Sequence, residues 1–228
     1  MPTLWRNTPS GCPIGRGRGR ATRPWRCARL PRRINTLTRN RAAAKNQLHA
    51  LNRSPQTPKA VRRDATLAIA QLEKRIAHLT EEANTFIQAH PALARPFTLL
   101  RTVKGIGETS AIALLGEVLL LPQGLTHKQW VKVASLDPRH FQSGKSIDKR
   151  ARLSKAGNRT IRRALYMPAL SAKAHDPHVK GFFAHLIVNG KTPLQAVCAV
   201  MRKLLHAIHG MLKHNQPFDN TRFYAIPV

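Results

Sequence analysis

From residue 34 onward, apolar positions recur at alternating steps of three and four: Ile34, Leu37, Ala44, Leu48 and Leu51, with Arg41 breaking the stripe. That spacing places its members on one face of a helix. A second stripe, Ala65, Ile69, Leu72, Ile76, Leu79, Ala83 and Phe86, comes after the turn-forming run Asn52-Arg53-Ser54-Pro55-Gln56-Thr57-Pro58. Two narrow stripes with polar flanks and a short Pro-containing link predict an antiparallel coiled-coil hairpin over residues 34–90, in preference to two helices that merely pack on the domain C-terminal to them. His90-Pro91 closes it.

Beyond this point the apolar residues become denser. Helices are predicted at 111–121, 128–136, 159–174, 177–188 and 193–214, punctuated by Pro122-Gln123-Gly124 and Asp137-Pro138. In the last helix, Val197, Val200, Met201, Leu204, Leu205, Ile208 and Leu212 form a continuous face that belongs in a core. Strand signal is confined to a short hairpin around the basic loop at 139–158. The expected fold is mainly α: the coiled-coil hairpin, then a compact helical domain at 91–214 with a helix-hairpin-helix-like element, then an irregular tail at 215–228.

Charge changes the picture from fold to partner. The 228 residues carry 39 Lys plus Arg against 10 Asp plus Glu, a formal charge of +29 that repels itself unless a polyanion screens it. Aromatics are 5%, too few for a platform of stacked bases, so contact with a nucleic-acid backbone is expected. No apolar run approaches the roughly 18 residues of a membrane span, and no apolar segment comes after the N-terminal cations, which points to the cytoplasm. Cys12, Cys27 and Cys198 have neither zinc-ligand spacing nor a pairing framework. His206 and His209 lie close in one helix, where a metal site competes with solvated or charge-supplementing roles. Residues 1–33, rich in Arg, Pro and Gly and including Gly15-Arg16-Gly17-Arg18-Gly19-Arg20, read as a disordered basic arm. A nucleic-acid-binding arm, a transit peptide and a frame-shifted start all share that composition.

Two constellations could carry chemistry. Lys104-Gly105-Ile106-Gly107 lies between helices, where glycines permit a tight turn and the next helix N-terminus can hold a phosphate; a plain glycine turn is the alternative. The second runs from Ser143 through Lys145, Lys149, Arg150, Arg152 and Lys155 to Gly157-Asn158, which opens a helix bearing Arg159, Arg162 and Arg163. Such a cluster would hold phosphodiester oxygens and stabilise charge on a phosphorus under attack. Ser143 sits at its rim and, as a nucleophile, would still need a base or a metal. Arg202 and Lys203 are further candidates for DNA contact, with a plain solvated helix face as the favoured alternative.

These segments together resemble a known group. Val103-Lys104-Gly105-Ile106-Gly107, Leu136-Asp137-Pro138-Arg139, Ser143-Gly144-Lys145, Ser154-Lys155-Ala156-Gly157-Asn158 with Arg162-Arg163-Ala164-Leu165, Asn189-Gly190-Lys191 and Arg202-Lys203-Leu204 have the order and spacing of the C-terminal half of the IS-one-ten family of insertion-sequence transposases. In that family a RuvC-like domain with acidic metal ligands precedes a coiled coil, and a C-terminal domain supplies a serine that links covalently to DNA under the direction of a guide RNA. The resemblance implies that Ser143 is the nucleophile, that double-stranded DNA and a guide RNA are partners, and that the coiled coil joins copies into a homo-oligomer at the bacterial nucleoid.

The chain departs from the pattern in four ways. No Asp or Glu precedes Asp64, so the RuvC-like acidic site is absent from this chain; Lys104 replaces the usual Pro, Ser135 a frequent Gly, and Pro168 an Ala in a continuing helix. The expectation is a truncated or frame-disrupted copy without autonomous activity. It holds no cofactor of its own, and magnesium enters only with the acidic domain. The alternative is a non-catalytic basic module for DNA or structured RNA; a ribosome-associated protein fits the charge but not the ordered motifs.

Overall fold

The computed structural model describes residues 24–122, 124–143, 147–154 and 156–225, with side chains described for all of these except 24–28, 140–143 and 147–151. The chain order is α1 (Pro24–Arg53), α2 (Lys59–Gln88), α3 (Pro91–Arg101), α4 (Glu108–Val118), α5 (His127–Val133), β1 (Pro138–Ser143), β2 (Ile147–Leu153), α6 (Arg159–His175), α7 (Pro177–Val188), α8 (Pro193–His214) and α9 (Asn220–Phe223). The mainly α expectation holds.

α1 and α2 run side by side in opposite directions. Leu30 and Phe86 line one small cavity, Lys45 Nζ lies 2.9 Å from Glu73 Oε1, and Arg62 donates to the Ser54 carbonyl at 2.9 Å, so one residue number falls as the other climbs. Of the stripe residues, Ile34, Leu37, Ile69 and Ala83 are buried and the remainder half-buried, while most positions between them are exposed. The two stripes therefore cover one another within a single chain. Arg41, the break in the first stripe, is half-buried. Its charge adds to the hydrogen bond and charge of Lys45 in holding the Glu73 carboxyl below the usual range.

The basic arm expected over 1–33 needs correction at its end. Residues 24–33 form the first turns of α1, and residues 1–23 lie outside the described residues. The local composition, with Pro31 inside the helix, opposes this. Tertiary contact overrides it: Pro31 is buried, Leu30 packs against the core, and Arg32 reaches a carboxylate of α4.

α4 is apolar on nearly every side, and Ala111 to Val118 are all buried, as such a helix must be. It begins at Glu108 rather than 111 because Gly107 is already extended. α5 starts at His127 because Thr126 and Gln129 form a capping box. It stops before 136 because Ser135 takes φ 48°, a left-handed backbone that ends helices. The predicted apolar face of α8 is buried throughout, and Ile34, Ala83 and Ile87 at the hairpin root join the same core.

The short strand pair exists, with Pro138 opposite Leu153, Arg139 opposite Arg152 and Ser143 opposite Ile147; a bulge between Arg139 and Phe141 shifts the register. Pro168 does not interrupt α6, which runs from Arg159 to His175, because Pro168, Ala169 and Ala172 are buried against the core. The tail is not wholly irregular: α9 forms one turn capped by Asp219, and Phe223 is buried beside Phe182, with rings 5.8 Å apart.

Candidate nucleic-acid interface

A carboxylate organises this region. Glu117 is 1% exposed within the apolar α4, a position that demands partners. Arg32 Nε donates to its Oε1 at 2.7 Å and Nη2 to its Oε2 at 3.1 Å; Asn158 Nδ2 donates to Oε2 at 2.6 Å. Burial pushes the Glu117 carboxyl up, but the hydrogen bonds from Arg32 and Asn158 and the charge of Arg32 outweigh it, and the net shift is downward. Asn158 also caps α6, accepting through Oδ1 from Thr160 N at 2.8 Å and Ile161 N at 3.2 Å. One side chain thus ties the root of α1 to the start of α6.

The loop before α6 is held as closely. Asn158 N donates to the Val133 carbonyl at 2.6 Å, and Gly157 N donates to the buried Ser135 Oγ. A Cβ on Gly157 would lie 2.1 Å from Val133 O, so only glycine fits. Ser135 stands in a left-handed conformation that suits glycine. The strain is offset because its hydroxyl serves the Gly157 amide.

Three arginines converge beside this loop. Arg159 is exposed and Arg163 half-buried on α6, and Arg39 is exposed on α1. Burial, then the charges of Arg159 and Arg39, push the Arg163 guanidinium below its ordinary value. Among the described residues no carboxylate lies within ion-pair distance of any of the three. Cations without a carboxylate partner, two of them near enough to act on the third, form a site for an anion. Arg162 faces another way, with Nη1 donating to the Ala134 carbonyl at 2.8 Å, and so braces α5 against α6.

The other sequence candidates divide. Arg152 is exposed at the base of β2, opposite Arg139. Ser143 ends β1, and Lys149 and Arg150 lie in β2, but their side chains are outside the described set; Lys145 and Lys155 lie outside the described residues. Lys104, Gly105 and Gly107 occupy the turn between α3 and α4. Gly105 has φ +95°, and a Cβ on it would lie 2.6 Å from Pro168 O and 2.9 Å from Ala172 N, so it serves the approach of this turn to α6. Gly107 has open space beside it. At about 1.5 Å per residue, Pro168 and Ala172 are roughly 14 and 20 Å along α6 from Arg159. The glycine turn and the arginine cluster are therefore at different places on one helix.

Arg39, Arg32 and Glu117 escaped the sequence reading. A lone carboxylate in an all-apolar helix was the available signal for Glu117; Arg39 had none, because its role depends on which helix faces α6. Among the described residues no three His, Cys, Asp or Glu are arranged to hold a metal.

Residues 97–184 match the transposase model of the IS116/IS110/IS902 family. A pilin gene-inverting protein of Moraxella bovis is 33% identical over 145 residues, covering 63% of this chain and 45% of that protein. The pilin gene-inverting protein of Moraxella lacunata matches with the same identity and coverage. An uncharacterized 43.6 kDa protein of the insertion element IS110 in Streptomyces coelicolor is 27% identical over 145 residues, 62% of this chain and 34% of that protein. The match spans less than half the length of these relatives. Residues 97–184 are therefore identified as a domain of the IS116/IS110/IS902 transposase family.

Proposed function

We propose that this chain supplies the DNA-holding, serine-bearing part of an insertion-sequence transposase or recombinase, with Ser143 as the group that attacks a phosphodiester. The observation that supports the DNA-holding part is the cluster of Arg39, Arg159 and Arg163 at the start of α6, which begins six residues after Leu153 ends β2; Ser143 lies at the other end of that strand pair, opposite Ile147. Cations placed there neutralise backbone phosphates without reading bases. In the attack, Ser143 Oγ bonds to phosphorus, a bridging oxygen of the strand leaves, and the hydroxyl proton passes to an acceptor. The divalent ion implied by the resembled family finds no fitting ligand set among the described residues, and no step is assigned to it.

Binding is tested by salt. If about six phosphates are neutralised, the log–log dependence of duplex affinity on salt has a slope of roughly −5. Changing Arg39, Arg159 and Arg163 to Gln reduces that slope by roughly 3 in magnitude. A flat titration of the parent chain, or an unchanged slope in the folded variant, removes this face from DNA binding.

Chemistry is tested separately. The chain alone with magnesium binds end-labelled DNA but forms no adduct that survives denaturing electrophoresis. Addition of a relative bearing the acidic domain, with its guide RNA, yields an adduct on the tagged chain, and Ser143→Ala abolishes it without loss of binding. An adduct that persists in Ser143→Ala sinks the nucleophile assignment. Binding with no adduct in any mixture leaves a non-catalytic module.

A further inference from the structure

At the far end of α5, three imidazoles meet. The ring of His127 lies 4.8 Å from that of His206 and 6.1 Å from that of His209, and Trp130 meets His209 edge-on at 5.0 Å. His209 Nε2 is 2.9 Å from the Leu125 carbonyl, which makes it the protonated nitrogen of the neutral ring. His206 Nε2 is buried with no hydrogen-bond partner. The three rings are not arranged to hold a metal.

The surroundings are cationic. Lys128 from α5 and Arg202 from α8 act on His206; Lys213 and His214 from α8 act on His209; His127 acts on both. His206 also lines a groove of about 620 Å³ between α8 and the tail, with Lys203, His214, Phe218 and Arg222. The acid there, Asp219, is paired with Arg222 at 3.2 Å. Lys128 and Lys132 are exposed one helical turn apart on α5, whose C-terminal end adjoins the Arg162 guanidinium and Gly157.

We propose that the nucleic-acid interface continues along α5 onto the α5–α8 face, where His127, His206 and His209 with Lys128 and Arg202 form a second phosphate-binding surface whose grip tightens on proton uptake. This rests on the chain binding nucleic acid, as proposed above. Burial and then the neighbouring cations hold His206 and His209 below the ordinary histidine range in the free protein, although the hydrogen bond to Leu125 partly opposes this at His209. A bound phosphate reverses the sign of the local field and favours the charged rings. Binding therefore takes up protons, and affinity rises as pH falls. One proton gained corresponds to at most about a tenfold change per pH unit.

The experiment uses the full chain and a duplex carrying a pH-insensitive dye, at fixed ionic strength, from pH 7.5 to 5.8. The parent's affinity is expected to rise about three- to tenfold. His127→Gln/Lys128→Gln, both at exposed positions, should cut that rise to less than about twofold, while Arg159→Gln/Arg163→Gln weakens binding throughout but keeps the rise. In the parent, duplex should also move the ring-proton titrations of His206 and His209 to higher pH. A full rise retained in His127→Gln/Lys128→Gln, or unmoved histidine titrations, overturns the second surface and leaves the first intact. Absence of duplex binding at every pH overturns the functional reading itself.

Discussion

Gly157→Ala is expected to lower the melting temperature by about 6–12 °C, the shift that about 3 kcal/mol produces in a chain of this size. The added methyl would stand 2.1 Å from Val133 O, 2.5 Å from Ser135 Oγ and 2.9 Å from Val133 C. Two of these atoms are backbone, and that backbone is fixed by the bonds Asn158 N to Val133 O and Arg162 Nη1 to Ala134 O. Relief requires the loop to withdraw, which breaks the Gly157 to Ser135 bond and shifts the start of α6 with Arg159 and Arg163. Gly107→Ala is the control: its φ is −76° with nothing within 4 Å of the added carbon, so the change stays within about 0.5 kcal/mol. Thermal melts of the two variants decide it. A Gly157→Ala protein that melts with the parent shows that the loop does not pack on α5 this closely.

Glu117→Ala is expected to cost about 3 kcal/mol, the lower part of the range for breaking a buried ion pair. The cost falls there because Arg32 is half-exposed and can turn to water, whereas the Asn158 amide loses its acceptor. Glu117→Gln, which keeps an oxygen acceptor but not the charge, should lose less. The pH dependence identifies the cause. The folded carboxyl lies below its unfolded value, so its contribution is full above roughly pH 4.3 and disappears as pH falls through the folded value. Urea midpoints of the parent and Glu117→Gln should converge on acidification from pH 7 to 3. A gap that stays constant over that range would show that lost packing, not the ionised contact, sets the difference. Because Glu117 joins α1 to α6, the variants should also weaken duplex binding in proportion to the loosening of Arg39 from Arg159 and Arg163.

Local pattern determined much of this protein. The three-four spacing of Ile34 to Leu51 and Ala65 to Phe86 already specifies two helices that cover each other, since no other arrangement of one chain hides both stripes so economically. The buried face of α8, the Asn158 cap of α6 and the basic strand pair were legible for the same reason: each rests on residues within a few turns of one another. Tertiary structure alone decided the rest. Arg and Pro around residue 31 argue against a helix until Leu30 and Pro31 find the core and Arg32 finds Glu117, 85 positions away. The glycine turn and the arginine cluster each read as a phosphate site in sequence, but how far apart they lie is set by α6, with Gly105 pressed on its later turns and Arg159 at its beginning. Arg39 joins that cluster, and three histidines meet across α5 and α8, because helices from distant parts of the chain pack side by side. Such encounters leave no periodic trace, since charge and burial at a point depend on every element that arrives there.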